Sequence, residues 1–235
     1  METGLTRSVF YSHLEKMGFE HCDEVDQAFE KYRLMLYETN QVMNLTAIND
    51  ENEVREKHFL DSLLIEKLIP KNATVADIGS GAGFPGLPLA IVRKDVQVVC
   101  IEPTQKRCSF MMNVVHELGL KNVKILNKRA EECDDLKESF EIVTARAVAS
   151  LPVLLELCVP LVKIGGSFIA MKASIAHEEL DISQNAIKVL NLKQPQVIEN
   201  ELPSSGKRVI SIFHKDKACP KQYPREYRLI KKKAL

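Results

Sequence analysis

Apolar residues recur at helical spacing through the first seventy positions, then change to short continuous runs. Residues 5–18 read as a helix. A clearer one follows over 23–39, where Val25, Phe29, Tyr32 and Leu36 share a face and charges lie between them. Asp23 is a candidate N-cap for it. Residues 40–48 read as a break, Asn49 or Asp50 as the cap of a third helix over 51–69. Its stripe is Leu60, Leu63, Leu64 and Leu68, and Pro70, Lys71 and Asn72 end it. From Thr74 the pattern predicts strands over 75–79, 96–101, 123–127, 142–145, 167–171, 196–199 and 209–213. Helices are predicted between them, near 86–92, 104–118, 150–162 and 175–190. Continuous apolar strands alternating with helices predict an α/β fold, with a mostly parallel sheet covered on both faces. The last two strands are joined by 200–206 with no helix, which predicts an antiparallel hairpin. The expected organisation is a helical cap over 1–70, an α/β domain over 71–218 and a tail over 219–235.

Composition narrows the class without naming a function. The 235 residues are 45% hydrophobic and 27% charged, as in a soluble globular protein. No window approaches the roughly 18 apolar residues of a membrane span, and residues 1–18 lack the apolar core of a secretory signal. The expectation is a cytoplasmic protein with no membrane contact. Six cysteines occur with no C-x-x-C pair, so reduced thiols are expected and no metal site. Net charge is zero, but residues 205–235 hold ten Lys or Arg against two acids. A basic end of that kind points to nucleic acid.

The strongest local signal is Val-Ala-Asp-Ile-Gly-Ser-Gly-Ala-Gly-Phe-Pro-Gly over 75–86, a buried strand running into a turn with four glycines. Glycine lets a ligand approach main chain, and the helix that follows aims its amides at that ligand. Residues 81–86 satisfy G-x-G-x-x-G, the pattern of dinucleotide binders. Asp77 argues against a pyrophosphate, because an acid beside the turn repels an anion and suits a cation. The series Asp77, Gly79, Gly81, Gly83 resembles the first motif of class I S-adenosylmethionine-dependent methyltransferases, whose cofactor carries an amino group and a sulfonium. Glu102, after the second strand, is placed to take ribose hydroxyls. Ala130 and Glu131 follow the third strand, where such enzymes edge the adenine. Arg146 ends the fourth strand and Lys172 the fifth, where sites of this architecture gather. Both are candidates for holding RNA, and Arg146 also for the cofactor. His58 and Asp61 share a helix face; a contact between cap and core is favoured over catalysis. In the tail Lys221, Tyr223, Arg225 and Arg228 interleave bases with aromatics, as RNA-binding segments do.

Taken together, these segments resemble the bacterial 16S rRNA guanine-N7 methyltransferases of the RsmG (GidB) family. The resemblance rests on Asn44–Leu45–Thr46–Ala47, His58–Phe59–Leu60–Asp61–Ser62, the glycine turn with its Phe84–Pro85–Gly86 ending, Lys106–Arg107, Arg129–Ala130–Glu131–Glu132, and Thr144–Ala145–Arg146–Ala147. Lys172 and Tyr223–Pro224–Arg225 extend it along nearly the whole chain. It implies a class I fold of seven strands, S-adenosylmethionine as cofactor with adenosylhomocysteine as product, and 16S rRNA as substrate. That rRNA is free, in an assembly intermediate or in the small ribosomal subunit. It implies cofactor contacts from Gly79, Phe84, Ala130, Glu131 and Arg146, with Glu102 near the ribose. Methylation at N7 is expected to be an in-line transfer with no general base, by a monomer. Three departures stand out: Tyr37–Glu38 where many members have Trp-Asn, Glu102 where many have Asp, and a different tail after Arg225. The alternatives are a nicotinamide-dependent dehydrogenase, against which Asp77 and the terminal hairpin speak, and a non-catalytic RNA-binding protein.

Overall fold

The computed structural model describes residues 4–19, 22–146, 149–172 and 177–235. The start of the predicted helix at 175–190, and Ala147 and Val148 after the fourth strand, lie outside the described residues. The N-terminal part contains α1 (Arg7–Met17), α2 (Asp23–Met43) and a third helical run that changes pitch along its length. That run is α3 (Glu51–Glu53), a π-helical stretch (Val54–Leu60), α4 (Asp61–Leu63) and a 3-10 turn (Glu66–Leu68). Cys22, not Asp23, occupies the N-cap of α2. The chain breaks at Asn44, in the left-handed region at φ 48°, and not at Asn40. Asn40 stays helical because its buried side chain has local work. It donates to the Thr46 carbonyl (2.9 Å) and accepts from the Thr46 amide (2.9 Å), folding the loop back on the helix. Asp50 caps α3, accepting from the amides of Asn52 and Glu53 at 2.9 Å each.

The sheet has seven strands: β1 (Thr74–Ile78), β2 (Gln97–Ile101), β3 (Val123–Leu126), β4 (Phe140–Arg146), β5 (Val162–Lys172), β6 (Gln196–Leu202) and β7 (Gly206–His214). Their order is β3-β2-β1-β4-β5-β7-β6. The first five run parallel, and β7 enters antiparallel between β5 and β6. This is the mostly parallel sheet with an antiparallel terminal hairpin that the sequence predicts. Helices α5 (Gly86–Val92), α6 (Gln105–Glu117), α7 (Leu151–Cys158), α8 (His177–Ile182) and α9 (Gln184–Val189) connect the strands. The helix expected over 150–162 is shorter, and β5 begins well before residue 167. Gly165 and Gly166 look like a loop in sequence but lie within β5. A Cβ on Gly166 would meet the Glu141 carbonyl at 2.5 Å, so only glycine permits this approach to β4.

Cap and sheet share one core. Phe10, Phe29, Tyr32 and Phe59 of the N-terminal helices pack in one buried cluster with Leu87 and Val98 of the α/β part. The change of pattern near residue 70 is therefore a change of secondary structure and not a break in packing. A second cluster, on the other side, contains Leu154, Phe168, Phe213 and Ile230. Ile230 belongs to α10 (Tyr227–Lys232), so the tail is docked on the α/β core.

The strand order reverses between β1 and β4. In sheets of this kind ligands bind at that reversal, beyond the carboxyl ends of the strands. Ile78 of β1 pairs with Ile101 of β2 and with Ala145 of β4. The next residues along the three strands are Gly79, Glu102 and Arg146, so the register alone sets these three side by side.

Candidate active site

The glycine turn leaves β1 through backbone conformations that a side chain resists. Gly79, Gly81 and Gly83 have φ of 68°, 60° and 105°. Asp77 lies fully buried beneath this turn. Its Oδ2 accepts the amide of Gly86 at 2.9 Å, at the start of α5. A Cβ on Gly86 would come within 2.9 Å of that oxygen, which is why glycine stands there. Burial pushes the Asp77 carboxyl up to about 6, against the opposing pull of the Gly86 amide, Ser80 and Arg146. Its Oδ1 has no hydrogen-bond partner.

A cavity of about 290 Å³ opens where β1, β2 and β4 end. Gly79, Glu102, Ala130, Glu131 and Arg146, all singled out in the sequence, line it. Glu102 is buried and accepts the amides of Gly81 (3.0 Å) and Thr104 (2.9 Å), so the acid and the turn are braced together. Thr104, Arg107 and Tyr227 line the same cavity; no sequence signal singled these three out for it. Four expected contacts are placed elsewhere: Asp77, buried beneath the turn, does not line the cavity. Gly81 donates to Glu102, and Gly83 packs under Tyr32 and Leu87. Phe84 does not reach the cavity: its ring is buried between His58 (centroids 4.4 Å) and Tyr32 (5.5 Å). The Tyr32 hydroxyl donates to the Ala82 carbonyl at 2.5 Å, tying the cap directly to the turn.

A second cavity, of about 400 Å³, lies beside the first and shares one wall with it, Arg146. Its apolar walls include Ile48, Leu64, Met171 and Ile210. Lys57, Lys172, Arg208 and Arg146 bring positive charge to it, against Asp61. Arg146 donates to Asp61 Oδ2 (2.7 Å) and to the Lys57 carbonyl (3.0 Å) through Nη1. Its guanidinium lies 5.2 Å from the centre of the Phe84 ring, within cation–π range. Arg208 takes the other oxygen of Asp61 at 2.9 Å. Asp61 thus holds two arginines from different strands, a role invisible in its helix alone. Lys172 donates to the Ala149 carbonyl (2.7 Å) and pairs with Glu179 (3.1 Å).

His58 is no base in this arrangement. Burial, and then the Arg146 charge, push it down to about 3, so the ring is neutral near pH 7. Arginine only donates, so Nδ1, at 3.3 Å from Arg146, is the acceptor. Nε2 then carries the proton and donates to Thr46 Oγ1 at 2.8 Å. The histidine is the contact between cap and core, stacked on Phe84.

The tail residues do not converge on this site as a group. Arg225, expected to hold RNA, is instead committed inside the protein. It forks onto Glu156, a fully buried carboxylate of α7, with both contacts at 2.6 Å. Lys221 and Tyr223 border a separate cavity with Asp134 and Lys137. Arg228 is exposed and pairs with Glu226. Among the described residues no group of three or more His, Cys, Asp or Glu is placed to hold a metal ion. Among the described residues no helix is long and apolar enough to cross a membrane.

The profile of the rRNA small subunit methyltransferase G family (GidB) matches residues 25–205. Ribosomal RNA small subunit methyltransferase G of Clostridium perfringens strain 13 is 42% identical over 227 residues, covering 94% of this chain and 95% of that protein. The Streptococcus pyogenes serotype M12 protein of the same name is 41% identical over 98% of this chain and all of its own length.

This chain belongs to the rRNA small subunit methyltransferase G family.

It is thus a methyltransferase, and solved structures agree on the fold. A SAM-dependent methyltransferase from Aquifex aeolicus superposes with a TM-score of 0.54 at 17% identity, covering 72% of this chain and 96% of its own. Pyrococcus horikoshii TYW2 in complex with MeSAdo gives 0.56 at 13% identity, over 67% and 62% of the two chains. The fold of this chain is therefore that of class I methyltransferases.

Proposed function

We propose that this protein methylates guanine N7 at one site of 16S rRNA, using S-adenosylmethionine bound in the cavity at the ends of β1, β2 and β4. One observation carries the proposal: two adjoining cavities share Arg146, the first proposed for the adenosyl group and the second for the nucleobase. The residues fit the cofactor. Glu102 offers a carboxylate to ribose hydroxyls, and the main chain at Ala130 and Glu131 borders the place for adenine. Gly79 supplies bare backbone, while Asp77, buried beneath the turn and outside the cavity lining, braces the turn through the Gly86 amide. When bound, S-adenosylmethionine supplies a methyl group activated by its sulfonium.

The second cavity suits a flat base between apolar walls. Lys57, Lys172 and Arg208 give it positive charge for flanking phosphates, which would compete with Glu53, Glu179 and Asp61 for them. A loop guanine reaches it by leaving its stack. Guanine N7 has a lone pair and no proton, so its methylation would ask no general base of the chain. That agrees with a site whose one histidine is neutral and hydrogen-bonded on both nitrogens. The protein's part is then alignment, which is worth about 7–11 kcal/mol when nucleophile and methyl carbon are held in line. Arg146 fixes that alignment from both sides, with Asp61 fixing Arg146.

The substrate is 16S rRNA in a small subunit or its assembly intermediate, and the protein acts in the cytoplasm as a monomer. The G-x-G-x-x-G match at residues 81–86 makes NAD the control ligand for the cofactor assignment. Parallel equilibrium dialysis with adenosylhomocysteine and NAD tests it. Binding of adenosylhomocysteine with no retention of NAD is expected; retention of NAD alone would overturn the cofactor assignment.

A further inference from the structure

The cofactor cavity has a wall that comes from the far end of the chain. Tyr227, eight residues before the C-terminus, borders it together with Leu157, Arg129 and Ala130. Its placement follows from a built anchor. Glu156 is an acid in an otherwise apolar stretch of α7 and is fully buried. A buried carboxylate needs a partner, and the tail brings one. Arg225 contacts both Glu156 oxygens at 2.6 Å, and its own amide donates to Glu156 Oε1 at 3.1 Å. Arg225 also donates to the Lys233 carbonyl (3.1 Å), closing the segment on itself. Ile230 is fully buried in the core cluster that also includes Leu154 and Leu157. Residues 223–233 thus form a strap fastened over α7, whose Leu157 lines the cavity. The half-buried Tyr227 ring sits at the cavity with the Arg129 guanidinium 5.4 Å from its centre.

We infer that Tyr227 is the adenine-stacking residue of the cofactor site, so that the C-terminal strap serves the cofactor. This rests on the assignment of S-adenosylmethionine as cofactor and adds the residue that grips its base. The location agrees: Glu102 marks the ribose end, and Ala130 and Glu131 mark the base end, next to Arg129 and Tyr227. An aromatic face is suited to a purine ring, and the Arg129 guanidinium over the same tyrosine confines it. The interleaved tyrosines and bases of the tail then divide. Tyr227 and Arg225 face inward, and Arg228 stays at the surface.

The chain has no tryptophan, so Tyr227→Trp places a single indole reporter in the full-length protein. Titration with adenosylhomocysteine is expected to quench its emission in a saturable way, at the Kd that equilibrium dialysis gives for the same variant. 5′-Methylthioadenosine, which keeps the base and ribose but lacks the amino acid, is expected to quench it as well; homocysteine is not. Tyr227→Phe should bind adenosylhomocysteine within about twofold of the parent protein. Tyr227→Ala should bind about 5- to 150-fold more weakly, the range of one base–aromatic stack. Emission unchanged by ligand while dialysis records binding would overturn the stacking role and leave the cofactor assignment standing. So would quenching by homocysteine but not by methylthioadenosine. Failure of the parent protein to retain adenosylhomocysteine in dialysis would overturn both.

Discussion

Replacing Arg146 with alanine is expected to lower single-turnover methyl transfer by about 10²–10³-fold, the loss seen when one preorganised donor is removed from an enzyme site. Among the described residues Arg146 alone lines both cavities, the ones proposed for cofactor and base. Its guanidinium is held on several sides: by Asp61 (2.7 Å), the Lys57 carbonyl (3.0 Å), His58 (3.3 Å) and the Phe84 face (5.2 Å). A group fixed so completely costs little to reorganise during the reaction. Arg146→Lys keeps the charge but loses the planar fork, and is expected to recover only part of the rate. Asp61 retains Arg208 when Arg146 is lost, so its charge is not stranded and the variant should remain folded. A thermal melt checks this. An Arg146→Ala protein with full activity and unchanged adenosylhomocysteine affinity would remove Arg146 from the centre of the account.

Gly83→Ala is expected to destabilise the fold by about 2–5 kcal/mol, combining backbone strain with overpacking. For a chain of this size that lowers the melting temperature by roughly 5–20 °C. At φ 105° an alanine is strained in any surroundings, and here its Cβ would meet Leu87 Cδ1 at 2.5 Å and the Tyr32 hydroxyl at 2.7 Å. Tyr32 cannot retreat freely, because it is fully buried and its hydroxyl is bonded to the Ala82 carbonyl. Gly119 is the control. It also has a positive φ, 61°, but a Cβ there would meet nothing within 4 Å. Gly119→Ala should cost only about 1–2 kcal/mol, the strain of one left-handed residue. Equal melting temperatures for the two variants would show that the packing of Tyr32 against the turn contributes nothing.

The sheet was legible because its signal is local. Each buried parallel strand is an apolar run, and α5 was expected at 86–92, the span it occupies. Glu102 and Arg146 were found at the ends of strands, and the register of those strands explains why they meet. What was not legible comes from partners distant in sequence. Asp61 gathers Arg146 and Arg208, from two strands, and helical periodicity has no term for such a contact. Phe84 lies in the glycine motif, yet the cap supplies its neighbours, and these turn its ring away from the cofactor cavity. Arg225 resembles the other tail bases because charge and spacing are all that the tail's own sequence offers. The clue was elsewhere: Glu156, a single acid in the apolar run of α7, needed a buried cation. The pitch changes along residues 51–68 had no clear pattern either. Along that run Arg55, Glu56, His58 and Asp61 are all buried, Arg55 on Glu30, Glu56 on the Ser204 amide, and His58 and Asp61 both on Arg146.

The central claim is that the two cavities joined by Arg146 pass a methyl group to guanine N7. The most direct measurement uses labelled S-adenosylmethionine and small ribosomal subunits from cells lacking the enzyme, followed by digestion of the 16S rRNA and mass spectrometry of its nucleosides. Label is expected in 7-methylguanosine at a single site, abolished or strongly reduced by Arg146→Ala. Label in any other methylated nucleoside, or none in 16S rRNA while adenosylhomocysteine binds tightly, would contradict that claim.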